Sequence, residues 1–151
     1  MLWVGIKNLS ETKGAVNKML KILIAEDDLV SRKFLNKMLS KYGECDLVVD
    51  GLEAIEAYMM ALEEKKPYEL ICLDIMMPKL DGIKVIKVIR DLEVQNSIAE
   101  EQRAKIMMTT ALSETEVVQT AFEYGCNAYA SKPIDINKFI DVMGRLGLIV
   151  E

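Results

Sequence analysis

Four short stretches of the chain carry side chains that could share one chemistry: Glu26-Asp27-Asp28, Asp74, Thr109-Thr110 and Lys132-Pro133. Carboxylates brought together repel, and each raises the pKa of its neighbour unless a cation lies between them. A hard divalent ion such as Mg2+ relieves that repulsion. It takes oxygen ligands and keeps several waters, which suits an open site with two carboxylates and a carbonyl. A lysine facing the ion could hold a second anionic group, and a threonine hydroxyl could hydrogen-bond to it. Acids, metal, lysine and hydroxyl together suit phosphoryl chemistry, with one carboxylate serving as nucleophile. Taken singly, each residue has a plainer explanation. Strand-end acids are often solvated loop residues, and Asp28 and Asp81 are expected to be of that kind. A Lys before Pro is usually a surface turn residue, and a Thr can close a strand on β-propensity alone. Only a shared location makes the set a site.

The surrounding elements supply that location. Lys21–Glu26 is a short, β-branched apolar run ending in acids, which predicts a buried strand. Leu29–Tyr42 has helical spacing, with Phe34, Leu35, Met38 and Leu39 on one face and Gly43 as its stop. Cys45–Val49 reads as a second strand. Gly51–Glu64 reads as a helix burying Ile55, Tyr58, Met59 and Leu62, ending before Pro67. Glu69–Leu73 is a third strand terminating at Asp74, and Ile83–Val94 a helix burying Ile83, Ile86 and Ile89. After a polar connection at 95–104, Lys105–Thr110 is a fourth strand. Ser113–Tyr124 is a helix, with Ser113 and Glu116 as a capping box. Ala128–Ser131 is a short fifth strand, and a last helix runs from about Asp135 to Leu146. Strands alternating with helices across short turns specify a parallel sheet covered on both faces. In such doubly wound folds the ligand site lies outside the carboxyl ends of the strands. The four stretches fall at those ends.

Composition limits the alternatives. With 151 residues, the chain is the size of one domain, and its 51% apolar and 28% charged residues are ordinary globular usage. A net charge of −5 argues against a nucleic-acid footprint and against adhesion to an anionic membrane. No apolar run approaches the ~18 residues of a membrane span. There is no His, which excludes Ser-His-Asp and Cys-His catalysis and His-ligated zinc within the chain. Cys45, Cys72 and Cys126 are odd in number and form no CxxC pair, which reads as reduced thiols in a cytosolic core. The first 20 residues sustain no apolar period and read as a flexible tail, leaving 21–149 as the folded domain.

The motifs ILIAEDD, CLDIMMPKLDG, MTTA and AYASKP, in that order, resemble the receiver domains of two-component response regulators over about residues 21–147. The 22-residue step from Thr110 to Lys132 and the Pro after that lysine fit the same pattern. The resemblance implies a flavodoxin-like α/β fold, a doubly wound five-stranded parallel sheet in the order 2-1-3-4-5 with five helices. It implies Asp74 as the phosphoacceptor, and Mg2+ held by Asp27, by Glu26 mainly through a bound water, by Asp74 and by the main-chain carbonyl of Met76. Thr110 would bond the phosphoryl oxygen, Lys132 would neutralise it, and Tyr129 would be the aromatic that swings inward with Thr110. A cis Lys132-Pro133 bond is implied as well.

The first acid departs from the family pattern, being Glu26 rather than Asp, a variant compatible with metal binding. The connection at 95–104 is longer than in compact receivers and should lie away from the acidic rim, adding partner surface. The chain is expected to be a stand-alone cytoplasmic receiver. A histidine kinase or phosphotransfer protein would phosphorylate it, and it would signal to a protein target through the fourth helix, fifth strand and fifth helix. That face could also serve a homodimer. No nucleic-acid or membrane contact and no turnover of a separate substrate are expected. An aspartate-based phosphohydrolase would need a second acid two residues after Asp74, where Met76 stands. A pseudo-receiver would lack Asp74, Asp27 or Lys132, and all three are present. Met76 and Leu112, two positions after Asp74 and Thr110, cannot orient a water for in-line attack, so a long-lived acyl phosphate is expected.

Overall fold

The computed structural model describes residues 18–111 and 115–150. In chain order the elements are β1 (Leu20–Ala25), α1 (Leu29–Leu39), β2 (Gly43–Val48), α2 (Gly51–Glu63), β3 (Leu70–Asp74), α3 (Gly82–Gln95), a 3-10 turn (Glu100–Gln102), β4 (Lys105–Thr110), α4 (Thr115–Glu123), β5 (Ala128–Ser131) and α5 (Ile136–Arg145). The five strands are all parallel, in the order β2-β1-β3-β4-β5. This is the expected doubly wound sheet, with β4 and β5 spanning the expected residues.

Both faces of the sheet are apolar because both are covered. On one face Leu23, Ile71, Leu73, Ile106 and Met108 pack with Tyr58 of α2, Ile86 and Ile89 of α3 and Ala121 of α4. On the other Ile22, Ile24, Leu70, Cys72 and Met107 pack with Leu35 and Leu39 of α1 and Phe139 and Met143 of α5. Successive strand residues alternate between the two clusters, as a period of two requires. Cys72 and Cys126 are buried, Cys45 is partly buried, and all three are free thiols. Among the described residues no helix is long and apolar enough to cross a membrane.

Several local expectations need correction. Gly43 does not stop α1, which ends at Leu39 with Ser40 as its cap. It opens β2 instead, where a Cβ would lie 2.1 Å from the Leu20 carbonyl oxygen, so only glycine lets β2 pair with β1 there. Leu20, assigned to the tail, is buried and begins β1; residues 1–17 lie outside the described ones. Phe34 and Met59 sit at the edges of their helices' apolar stripes and are exposed, and Ile83 is only partly buried. Asp28 and Asp81 are not merely solvated: each caps a helix, accepting from the backbone N–H of Ser31 and of Lys84. Asp50 and Asp135 do the same for α2 and α5. Ser113, and with it the expected capping box, lies outside the described residues.

At the amino end of β4 the apolar core gives way to a buried polar network. Glu93 of α3, fully buried, accepts from Tyr58 Oη at 2.9 Å, from the Ala104 amide at 2.8 Å and from Arg90 at 2.6 Å. Arg90 also donates to the carbonyls of Ala104 and Gly125 and to Asn127 Oδ1, which in turn accepts from the Ile106 amide. Every partner is satisfied, the condition under which such a network rigidifies a core. It pins the 95–104 connection to the end of the sheet opposite Asp74, as expected.

Burial, with Glu93 beside it, pushes the Tyr58 phenol well above its ordinary range. The folded protein therefore keeps a proton that the unfolded chain releases near pH 10, so this contribution is complete below about pH 10 and declines above it. Tyr58→Phe should lower unfolding free energy by about 1–2 kcal/mol at pH 7 in urea titrations. It should also lose less than wild type between about pH 10 and 11.5.

Candidate functional site

The carboxyl ends of β1 and β3 stand side by side because Ala25 pairs with Leu73, placing Glu26 and Asp74 one step further along. Glu26 is fully buried, Asp74 is 5% exposed, and Asp27 faces solvent. Carboxylate oxygens of Glu26, Asp27 and Asp74 lie within 4.8 Å of one another. The structure thus brings together the three acids that the sequence singled out.

Neighbouring backbone holds the acids in place. Glu26 Oε2 accepts from the Asp28 amide at 3.1 Å, and Asp74 Oδ1 accepts from the Met76 amide at 3.1 Å. Arg32, in the first turns of α1, donates to the main-chain carbonyls of Glu26 and Asp27. Gly82 closes the β3–α3 loop by donating to the Ile75 carbonyl, and a Cβ there would lie 2.6 Å from the Asp74 carbonyl oxygen. At the far tip of this loop Lys79, in the left-handed region at φ 70°, pairs with buried Asp50 at 3.3 Å. The roles of Arg32, Lys79 and Asp50 have no signature in the sequence: Lys79 and Asp50 meet across 29 positions, and Arg32 acts on main-chain carbonyls.

Lys132 reaches the acids from β5. Its Nζ donates to Glu26 Oε1 at 2.5 Å and to Asp74 Oδ2 at 3.1 Å. Burial pushes the Glu26 carboxyl above the usual carboxylate range; Lys132 pulls it back, and the proximity of Asp74 raises it further. Burial also works against the Lys132 ammonium, but the two carboxylates outweigh it and hold its pKa above the usual value. The Lys132-Pro133 peptide bond is cis, as implied.

The two threonines part company. Asp74 pairs in register with Thr109, so those side chains share the face of α1 and α5, whereas Thr110 lies on the opposite face. Thr110 is buried, and β4–β5 pairing puts it on the same face as Tyr129, a diagonal neighbour that is 43% exposed. Thr110 and Tyr129 are thus diagonal neighbours on one face of the sheet. Leu112 lies outside the described residues, and Met76 is 61% exposed at the rim.

The donor set is all oxygen and crowded with negative charge, and the cation that reaches into it is a lysine. It fits a hard divalent ion better than a soft one.

A doubly wound α/β domain with acids and a lysine gathered at its strand ends has the groups that phosphoryl chemistry needs. The chain belongs to the response regulator receiver domain family, whose pattern matches residues 22–143. Members of this family are the phosphoacceptors of two-component signalling. The two-component response regulator 24 of Arabidopsis thaliana is 29% identical over 147 residues, covering 97% of this chain and 93% of its own length. The hybrid signal transduction histidine kinase G of Dictyostelium discoideum is 32% identical over 146 residues, 95% of this chain but only 4% of that far longer protein. Among solved structures, the receiver domain of Saccharomyces cerevisiae Ssk1, bound to the histidine phosphotransfer protein Ypd1, aligns with a TM-score of 0.73 at 27% identity, covering 88% of this chain and 92% of its own. The Borrelia burgdorferi CheX-CheY complex with BeF3 and Mg2+ aligns with a TM-score of 0.71 at 26% identity, covering 83% and 88%.

Removing the lysine should expose the charge conflict. In Lys132→Met the buried Glu26 loses the partner that lowers its pKa, so the folded state binds its proton more tightly still. A carboxyl raised in the folded state is least harmful at low pH, and its penalty grows as pH rises through the folded pKa. Denaturant titrations should show Lys132→Met destabilised by about 1–3 kcal/mol at pH 8, with a smaller deficit at pH 5.

Proposed function

We propose that Asp74 is the phosphoacceptor of this receiver. The observation that carries this reading is the contact of the Asp74 carboxylate with Lys132, at 3.1 Å, inside the Glu26–Asp27–Asp74 cluster. Oδ attacks the phosphorus of a phosphohistidine on a partner, the new O–P bond forms as the N–P bond breaks, and the imidazole leaves. Lys132 holds a phosphoryl oxygen, and the Met76 amide keeps the Asp74 carboxylate oriented. The charge crowding among the acids supports Mg2+ as cofactor, with Glu26, Asp27, Asp74 and the Met76 carbonyl as its holders. When bound, the ion neutralises charge between nucleophile and phosphoryl group.

The phosphodonor is a histidine kinase or phosphotransfer protein, a reading supported by the Ssk1–Ypd1 relative. Thr110 closes on the phosphoryl group and Tyr129 follows, altering the face built by α4, β5 and α5. That face signals to a protein target and can pair two copies. The protein works in the cytoplasm and turns over no separate substrate. Hydrolysis of the acyl phosphate is slow because Met76, exposed at the rim two positions after Asp74, offers no group to orient a water.

Exposure to a small phosphodonor with Mg2+ should add one phosphoryl group by mass spectrometry, and Asp74→Asn should abolish the addition. Asp27→Ala should raise the Mg2+ concentration needed by roughly tenfold, about 1.4 kcal/mol. Met76→Asn should speed acyl-phosphate decay by roughly tenfold, followed as loss of label over time.

A further inference from the structure

One hydroxyl beside the site has no partner. Thr109 Oγ1 is buried without a hydrogen bond, alone in this among the buried side-chain nitrogens and oxygens of the described residues. An unpaired buried hydroxyl is unfavourable, and in a native fold it calls for an explanation.

Its surroundings supply one. Thr109 is the register partner of Asp74 on one side and of Ala130 on the other. Lys132 lies two residues past Ala130, and its ammonium ends against Asp74 and Glu26, at the tips of β3 and β1. Because β4 lies between β5 and β3, the lysine arm must cross the end of β4, on the face that carries Thr109. Lys132 now bonds two of the carboxylates that the proposed function assigns to a cation. A cation drawing on Glu26 Oε1 or Asp74 Oδ2 competes with the ammonium for that oxygen's electron density, and so loosens the hold on a lysine whose side chain is only 21% exposed.

We propose that Thr109 is a positioning residue for Lys132: its hydroxyl accepts a hydrogen bond from the ammonium once Glu26 and Asp74 turn to a cation. The inference rests on the reading of those acids as a cation site. A hydroxyl that is unpaired in the cation-free fold and paired in the loaded one favours the loaded state, and so raises cation affinity.

The test titrates Mg2+ alone into the whole chain by calorimetry, comparing wild type, Thr109→Val and Thr109→Ser, each with Lys132 intact or changed to Met. With Lys132 present, Thr109→Val should weaken Mg2+ binding about three- to tenfold, as expected for the net value of one hydrogen bond. Thr109→Ser, which keeps the hydroxyl, should stay within about twofold of wild type. In the Lys132→Met background, Thr109→Val should change nothing, because the two residues act as one unit. Without Mg2+, Thr109→Val should melt at or above the wild-type temperature, so weaker binding cannot be put down to a damaged fold. Wild-type affinity in Thr109→Val, a loss of equal size without Lys132, or a Ser variant as weak as the Val variant would each overturn the proposal. A folded wild type that binds no Mg2+ would overturn the cation reading itself, and this inference with it.

Discussion

A single ammonium, Lys132, stands between two buried carboxylates, and the rim of the sheet is organised around that unequal charge count. Glu26 and Asp74 are brought together by β1–β3 pairing, and burial makes their charge costly. One lysine cannot balance three acids. The surplus negative charge makes the pocket a place for a cation, and the lysine makes it a place for an anion. A phosphoryl group accompanied by a divalent ion brings both.

The two ends of the sheet solve the problem of buried polarity in different ways. At the amino end of β4, Arg90, Glu93, Tyr58 and Asn127 satisfy one another and the backbone around them. That end is fixed, and it anchors α3 to the turn leading into β5. At the carboxyl end the polar groups are tied less completely: a lysine is shared between acids and a threonine hydroxyl is unpaired. A signalling domain needs one end that holds still while the other responds. The contrast in hydrogen bonding leaves the carboxyl end the less firmly tied of the two.

The relatives show how one domain serves in different settings. The chain spans nearly all of a plant response regulator and a few per cent of an amoebal hybrid kinase. A similar domain is thus built into proteins of very different length. This is expected when the chemistry depends on a few strand ends and not on what is attached to the domain.

Much of the fold was legible in the chain because its signals are local. KIMMTT announces its strand by an apolar, β-branched run, and Asp135 announces a helix start by its own capping chemistry. The alternation of strands and helices implied which strand ends would share a rim. The acids and Lys132 were therefore recognisable as a set before their contacts were known. Other features depended on partners far away in sequence. Gly43 reads locally as a helix stop, and only the approach of the Leu20 carbonyl shows that it is the sole residue able to start β2. A period of two shows that Thr109 and Thr110 face opposite ways, but not which of them faces Asp74. That choice is a matter of register between parallel strands 35 positions apart, set by backbone hydrogen bonding and by the helix between them, so only the tertiary structure made it.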